Sequence, residues 1–375
     1  MKRIKTSCKI ALLLATIIML TSCGRTEPPV SSETPVPAEN EAAVPETAVP
    51  TADPAATEKH QKQVFAMDTV MILTAYGSKA EEALDAAEAR ILELEADLDP
   101  ESETGSVHAL NAGAGQSVVL SEDACKVMST ALEYWKRSGG ALDPGMYPLS
   151  KAWGFIGGNY RVPLQEEIDA LLAAKNTEGV VLDESTCTAY VPDGMEVSFG
   201  AVAKGYTAQA VCDLWAEMGV ESAILSLGGN VQTLGEKKPD GNAWQVAVTD
   251  PHDTGSYVGV LSVGQAAVVT SGGYQRFFTE GDTTYIHILD PETGYPVTGE
   301  GDLISVTVVT DDGAKADALS TTLYVMGKDA ALDFWREQGD FELVLVTGGS
   351  HVIVTPGLKD VFSGEVDFYT YDYLD

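Results

Sequence analysis

VSFGAVAKGYTAQAVCDLWAEMGVESAILSLGGNVQTLG, residues 197–235, reads as strand, glycine turn, helix, glycine stop and strand. Val197–Phe199 is short and apolar, and Gly200–Gly205 supplies a turn. A helix is expected over Ala203–Met218, with Tyr206, Ala210, Leu214 and Met218 four apart on one apolar face. Gly219 stands where a helix stops on a residue at positive φ. Ala223–Leu227 forms the second strand and ends in Gly228-Gly229-Asn230. Lys204 lies in the first helical turn, where a cation opposes the helix dipole. It is either a solvated lysine beside a tight turn or a cation that joins a helix N-terminus in holding an anion.

The pattern extends in both directions. Upstream, Gln63–Tyr76 reads as a strand, Lys79–Leu98 as a helix, Asp99–Gly115 as loop, and Ser121–Gly139 as a helix with Ser121 at its N-cap. Gly140–Phe155 is dense in Gly, Pro and aromatic residues. Gln165–Ala174 reads as a short helix, followed by small strands at Gly179–Leu182 and Ala189–Val191. Downstream, strands are expected at Trp244–Thr249, Tyr257–Val263, Ala266–Gly273, Thr284–Leu289 and Leu303–Thr310. Helices at Lys315–Met326 and Ala330–Glu337 and a hairpin over Phe341–Thr355 follow. Helices interleave with strands, and hairpins fill the second half. This predicts an α+β fold with mixed sheets rather than a doubly wound parallel one.

The first 62 residues differ in kind. Residues 1–22 carry Lys2, Arg3, Lys5 and Lys9, then the apolar run Ile10–Leu20. That is the pattern of a signal peptide, with an apolar stretch too short to span a bilayer. Leu20-Thr21-Ser22-Cys23 resembles the bacterial lipobox, which implies cleavage before Cys23 and lipid on its thiol. Residues 23–62 are rich in Pro, Glu and Ala and read as an extended tether that cannot bury a core. Residues 63–375, about 310 in number, suit one large domain or two intimate subdomains.

The formal net charge is −33, and the signal segment holds four cations and no acid, so the rest stands at about −37. Such a surface disfavours nucleic acid and anionic headgroups, and holds an anionic small ligand only with a metal ion or a local cationic site. Beyond Cys8 and Cys23 there remain Cys125, Cys187 and Cys212, an odd number without ligand spacing. A disulfide framework or a zinc site is not expected.

Three groups can carry chemistry. Asp317 and Thr321 are four apart on one helix face. They are either a capping Asp with a Thr bonded back to a carbonyl, or a hard-oxygen pair suited to Mg²⁺. His287 lies in a predicted strand just before Asp290-Pro291, as a satisfied strand histidine or as a positioned general base. Asp68 and Asp143 are acids in apolar surroundings that suit turns as well as sites. The chain has no HExxH, P-loop, GxSxG or GxGxxG pattern. That disfavours zinc proteases, Walker-type NTPases, serine hydrolases and Rossmann dehydrogenases.

From about Val64 to Gly327 an ordered set of motifs resembles the ApbE family of FAD:protein FMN transferases. The set comprises Met67-Asp68-Thr69, Leu110-Asn111-Ala112-Gly113, Gly140-Ala141-Leu142-Asp143-Pro144, Trp153-Gly154-Phe155 and Gly200-Ala201-Val202-Ala203-Lys204-Gly205. It continues with Leu227-Gly228-Gly229-Asn230, Thr270-Ser271-Gly272, His287 through Gly294, and Ala316 through Thr321. The resemblance implies a T-fold-like architecture. It implies Mg²⁺-dependent transfer of FMN from FAD to a threonine hydroxyl of a target protein, with AMP released. It assigns FAD contacts to Met67, Ala141, Leu142, Asp143 and the Ser198 position, and FAD phosphate contact to Lys204. Mg²⁺ would be held by the Ala201 backbone carbonyl, Asp317 and Thr321, and His287 would transfer a proton. Two positions depart from the family pattern: Asp68 where Gly is frequent, and Ser198 where Asp is common, which removes a carboxylate near the flavin nucleotide. The implied acceptors are exported or membrane subunits of flavin-dependent electron-transport complexes. The implied place is the extracytoplasmic face of the cell membrane, through the lipid anchor. An FAD pyrophosphatase giving FMN and AMP, and a non-catalytic flavin- or solute-binding lipoprotein, are the alternative readings.

The anchor is directly testable. Cys23→Ala should release the protein from membranes or leave its precursor uncleaved, as read by fractionation and mass. A mutant processed and membrane-held like wild type would refute it.

Overall fold

The computed structural model describes residues 57–375 except 237, 298–302 and 365. The expected signal peptide, Cys23 and most of the expected tether lie outside the described residues. The first half contains β1 (Lys59–Ala66), β2 (Thr69–Tyr76), α1 (Ala80–Leu98), α2 (Ser106–Ala112), β3 (Ser117–Val119), α3 (Glu122–Arg137), α4 (Tyr147–Ala152), α5 (Gln165–Ala174), β4 (Val181–Asp183), β5 (Thr188–Tyr190) and α6 (Ala203–Glu217). Then come β6 (Ala223–Leu227), β7 (Asn230–Leu234), β8 (Trp244–Thr249), β9 (Tyr257–Val263), β10 (Ala267–Gly272), β11 (Phe277–Glu280), β12 (Thr283–Ile286) and β13 (Leu303–Thr310). The chain closes with α7 (Gly313–Met326), α8 (Lys328–Gln338), β14 (Glu342–Thr347), β15 (His351–Val354), β16 (Phe362–Ser363) and β17 (Thr370–Tyr373). Strand β1 starts at Lys59, four residues ahead of the boundary expected from composition.

A nine-stranded sheet in the order β1-β2-β6-β7-β10-β13-β14-β15-β17 is the spine. Its neighbours run antiparallel except β15 and β17. Successive strand residues point to opposite faces, and both faces are covered here. In β14, Leu343 and Leu345 pack with α3, α7 and α8, while Val344 and Val346 face the small sheet β16-β9-β8. Helices α1 and α6 cover β1, β2 and β6 through Leu84, Ile91, Val211 and Trp215. Mixed sheets with interleaved helices are the α+β arrangement expected from the sequence.

Several local expectations change. The strand expected over Gln63–Tyr76 is a hairpin: Ala66 pairs with Thr69, and Met67 and Asp68 form a two-residue turn at φ 49° and 58°. Both positions lie in the left-handed region that a type I′ turn requires, and glycine suits that region best. This accounts for the Gly expected at position 68. The Asp99–Gly115 segment contains α2, because the Asp97 carboxylate fixes its start by accepting Ser106 N–H (3.1 Å) and Oγ–H (2.6 Å). Val197–Phe199 is not a strand. The Asn111 side-chain amide takes a strand partner's place, accepting Val197 N–H at 2.8 Å and donating to its carbonyl at 2.9 Å.

Helix α6 is also rotated from expectation. The stripe Tyr206, Ala210, Leu214 and Met218 is only half-buried, while Gly205, Ala208, Val211, Cys212 and Trp215 are buried. The cause is a close crossing with α7. A Cβ on Gly205 would overlap the Gly313 carbonyl oxygen and stand 2.6 Å from Asp317 Cβ. Glycine is used here for approach, not for turn geometry. Gly205→Ala should therefore lower unfolding stability by about 1–3 kcal/mol, the usual cost of overpacking. Gly200→Ala, whose Cβ meets only Ser198 Oγ at 3.7 Å, should change it by less than about 0.5 kcal/mol. Urea unfolding of both variants checks this; equal midpoints would refute the close crossing.

Candidate active site

The hairpin turns Met67-Asp68 and Gly228-Gly229 lie side by side at one end of the sheet, because Met71 pairs with Leu227. A Cβ on Gly228 would overlap Thr69. Together with the end of β10, the start of α6 and the loops around 141–157 and 275–291, they enclose a cavity of about 640 Å³. This is a normal size for a cofactor site. All ten residues assigned to flavin, metal or proton transfer within the domain line it: Met67, Ala141, Leu142, Asp143, Ser198, Ala201, Lys204, His287, Asp317 and Thr321.

Asp317 is buried in the second turn of α7. It is not the cap: Asp312 is, accepting Lys315 N–H at 3.0 Å. One Asp317 oxygen accepts Gly205 N–H at 2.8 Å. Among the described residues neither Asp317 nor Lys204 belongs to an ion pair. A buried carboxylate without a countercharge is costly unless a cation joins it. Thr321 stands one turn on, with its hydroxyl 3.4 Å from Ser271 Oγ. Among the described residues no three His, Cys, Asp or Glu side chains form a metal-sized cluster. One carboxylate, one hydroxyl and the Ala201 carbonyl are hard-oxygen donors that fit Mg²⁺, an ion that usually takes its other ligands from phosphate and water.

His287 is not mid-strand; it follows the last residue of β12, and its N–H donates to the Arg276 carbonyl at 3.0 Å. Its ring Nδ1 lies 3.1 Å from the same carbonyl oxygen. A carbonyl only accepts, so Nδ1 carries the proton and Nε2 keeps its lone pair. Burial, then the positive charges of Arg276 and Lys204, push its pKa down to about 4. The ring is thus a neutral acceptor at physiological pH.

Asp143 lines the cavity and also has a structural part. Its carboxylate is consumed by Gly145 N–H (2.8 Å), Thr177 Oγ–H (2.6 Å) and Lys175 Nζ (2.8 Å). It braces the 141–146 loop, whose residues 141–144 and 146 line the cavity. Ser198 Oγ accepts Gly200 N–H at 3.3 Å and supplies no charge. Sequence reasoning missed Arg276, which lines the cavity, donates to the Phe155 carbonyl at 3.3 Å and faces Asp68 at 3.5 Å. Its only sequence signal was its place between two recognised motifs. Asn230 was quoted for its turn, yet its buried Nδ2 has no protein partner at the cavity wall. An orphaned donor of this kind fits an acceptor atom of a ligand.

Fold and site define an α+β enzyme whose cavity combines cations, a hard-oxygen pair and a neutral imidazole. The sequence profile of the ApbE family matches residues 67–345. A protein of Klebsiella pneumoniae (strain 342) named FAD:protein FMN transferase is 37% identical over 227 residues, 60% of this chain and 68% of its own length. One of the same name from Treponema pallidum (strain Nichols) is 30% identical over 278 residues, 70% and 76% of the two chains. The crystal structure of the ApbE protein of Thermotoga maritima superposes with a TM-score of 0.75 at 26% identity, covering 81% of this chain and 99% of that one. The apo Pseudomonas stutzeri flavinyl transferase ApbE gives 0.72 at 25% identity, covering 82% and 98%. The chain belongs to the ApbE family.

The state of His287 can be measured. Its folded pKa lies below the ordinary 6.5, so the neutral ring's contribution to stability is complete above pH 6.5 and fades as pH falls toward 4. In ¹⁵N-labelled protein its ring should keep the Nδ1–H tautomer at pH 5.5, where a free imidazole is mostly protonated. A titration midpoint near 6.5, or an Nε2–H ring, would overturn the assignment.

Proposed function

We propose that this protein transfers FMN from FAD to a threonine hydroxyl of an acceptor protein, with Mg²⁺, releasing AMP. The observation that carries the reading is one cavity holding two free-standing functions: the cations Lys204 and Arg276 beside His287, and the uncompensated Asp317 with Thr321. In so acidic a chain, that pairing suits a pyrophosphate accompanied by a divalent ion. The names of the relatives point the same way.

On this reading Asp317, Thr321 and the Ala201 carbonyl would hold Mg²⁺, which when bound would offset the charge of the pyrophosphate. Lys204 and Arg276 orient the phosphates, and the Asp143-braced loop with Met67 frames the flavin end. The threonine oxygen bonds to the FMN-side phosphorus as the phosphorus–oxygen bond to AMP breaks. The threonine proton passes to His287 Nε2. The same two cations that depress His287 are those an anion would neutralise. An anion bound there would offset that part of the depression, while burial, its largest cause, would remain. The rest is positioning and electrostatics, as phosphoryl transfer requires. The acceptor is an exported or membrane flavoprotein subunit, met by a domain tethered at Cys23 on the extracytoplasmic side.

The test is an assay of AMP release and of covalent flavin on a purified candidate acceptor, run against Mg²⁺ concentration. AMP without labelled acceptor would favour an FAD pyrophosphatase; FAD retention without AMP would favour a binding protein. Asp317→Asn keeps an oxygen for Gly205 N–H, so the helix crossing survives while the anionic ligand is lost. Its activity should fall by about two orders of magnitude or more, in the range of other lost electrostatic stabilisers, or need far more Mg²⁺. Thr321→Val should act in the same direction more mildly. Superimposable Mg²⁺ curves for wild type and Asp317→Asn would sink the metal assignment.

A further inference from the structure

Cys125 sits one turn into α3, buried, and Cys187 forms the turn between β4 and β5. Sixty-odd residues separate them in sequence, yet Cys187 packs against the core cluster that holds Cys125 and the two side chains are near enough to interact, while the Cys187 thiol itself donates to the Glu184 carbonyl at 3.9 Å. Three further ties hold that geometry. Cys187 O accepts Leu120 N–H at 2.8 Å, just before the Ser121 cap of α3. Thr188 pairs with Val119. Ser129 Oγ, one turn beyond Cys125, donates to Glu184 Oε1 at 2.7 Å. Cys187 itself adopts φ 48°, uncommon for a residue with a side chain, and packs against the core cluster that contains Cys125. The remaining cysteine of the domain, Cys212, is buried in the separate cluster beneath α1.

We propose that Cys125 and Cys187 are a disulfide site that ties the β4–β5 hairpin to α3 when the protein meets a disulfide oxidant. The half-exposed Cys187 is the thiol such a reagent reaches. Its thiolate attacks one sulfur of a small disulfide, forming a mixed disulfide and expelling one small thiolate. The Cys125 thiolate then attacks the Cys187 sulfur and expels the second. Two protein thiols lose two protons and two electrons, and one small disulfide becomes two thiols. Burial and the neighbouring Cys187 push the Cys125 thiol up to about 12, so the second step is the slow one and quickens as pH rises. One bridge of this kind is no framework, in keeping with the odd cysteine count, and it suits the oxidising exterior where disulfides persist.

The experiment incubates the full folded chain with oxidised glutathione at pH 8.5, then blocks free thiols, unfolds it and maps non-reduced peptides. A Cys125–Cys187 linked peptide should appear, with Cys212 recovered as blocked thiol after unfolding. The oxidised protein should melt about 5–10 °C above the reduced one, the scale for closing a loop of this length in a domain of this size. Cys187→Ser should abolish both the linked peptide and the redox-dependent shift. Glutathione retained on Cys187 with Cys125 still free, or equal melting of linked and reduced protein, would overturn the proposal. These readouts are independent of flavin transfer, so either can fail alone.

Discussion

One hydrogen bond links the frame of this enzyme to its chemistry: Gly205 N–H to the Asp317 carboxylate, 2.8 Å, at the crossing of α6 and α7. The bond exists only because neither Gly205 nor Gly313 carries a Cβ at the contact. It fixes the N-terminus of α6, and so Ala201 and Lys204, against the helix that carries Asp317 and Thr321. An Asp held this way has one oxygen committed to backbone and, among the described residues, no side chain that compensates its charge.

The electrostatics follow from the same economy of charge. A chain with a net charge of −33 repels anions. Two of the acids that line the cavity are tied to groups other than its cations Lys204 and Arg276: Asp143 to Lys175, and Glu101 to Tyr147 and Lys151. Hydrogen bonds from Tyr147 and Lys151 hold Glu101 below the usual carboxylate range. Among the described residues Lys204 has no such partner, and Arg276 pairs with the exposed Asp68 at 3.5 Å. Local pairing, rather than the net charge, decides the sign that a ligand meets.

Elements with strong local signals were legible from the sequence. Gln165–Ala174, Trp244–Thr249, Tyr257–Val263 and Leu303–Thr310 have the bounds their patterning predicts, because period, caps and turn residues all agree there. What failed is where partners are distant in sequence. Val197–Phe199 looks like a strand, but its backbone is satisfied by the Asn111 side chain and by Pro144, whose carbonyl accepts Ser198 N–H at 3.0 Å. The Met67-Asp68 turn lacks the Asn-Gly signal, so an apolar run hid a hairpin. The buried face of α6 was misjudged because a glycine and small residues, not large apolar ones, define a close crossing. The candidate site was legible only through motifs in order. Spacing alone left Asp317 between cap and ligand, and the cap is Asp312.

The unusual backbone at residues 67 and 68 fits this division between frame and site. Two side-chain-bearing residues in the left-handed region are unfavourable, and such strain persists where the surroundings over-determine it. Here they do: Glu95 accepts Met67 N–H at 2.5 Å, Thr207 Oγ1 lies 3.8 Å from Met67 Sδ, and Arg276 faces Asp68. A Gly at position 68 would relax the turn but remove the carboxylate that holds Arg276. The Asp that stands where the resemblance implies Gly is thus the residue that pairs with Arg276.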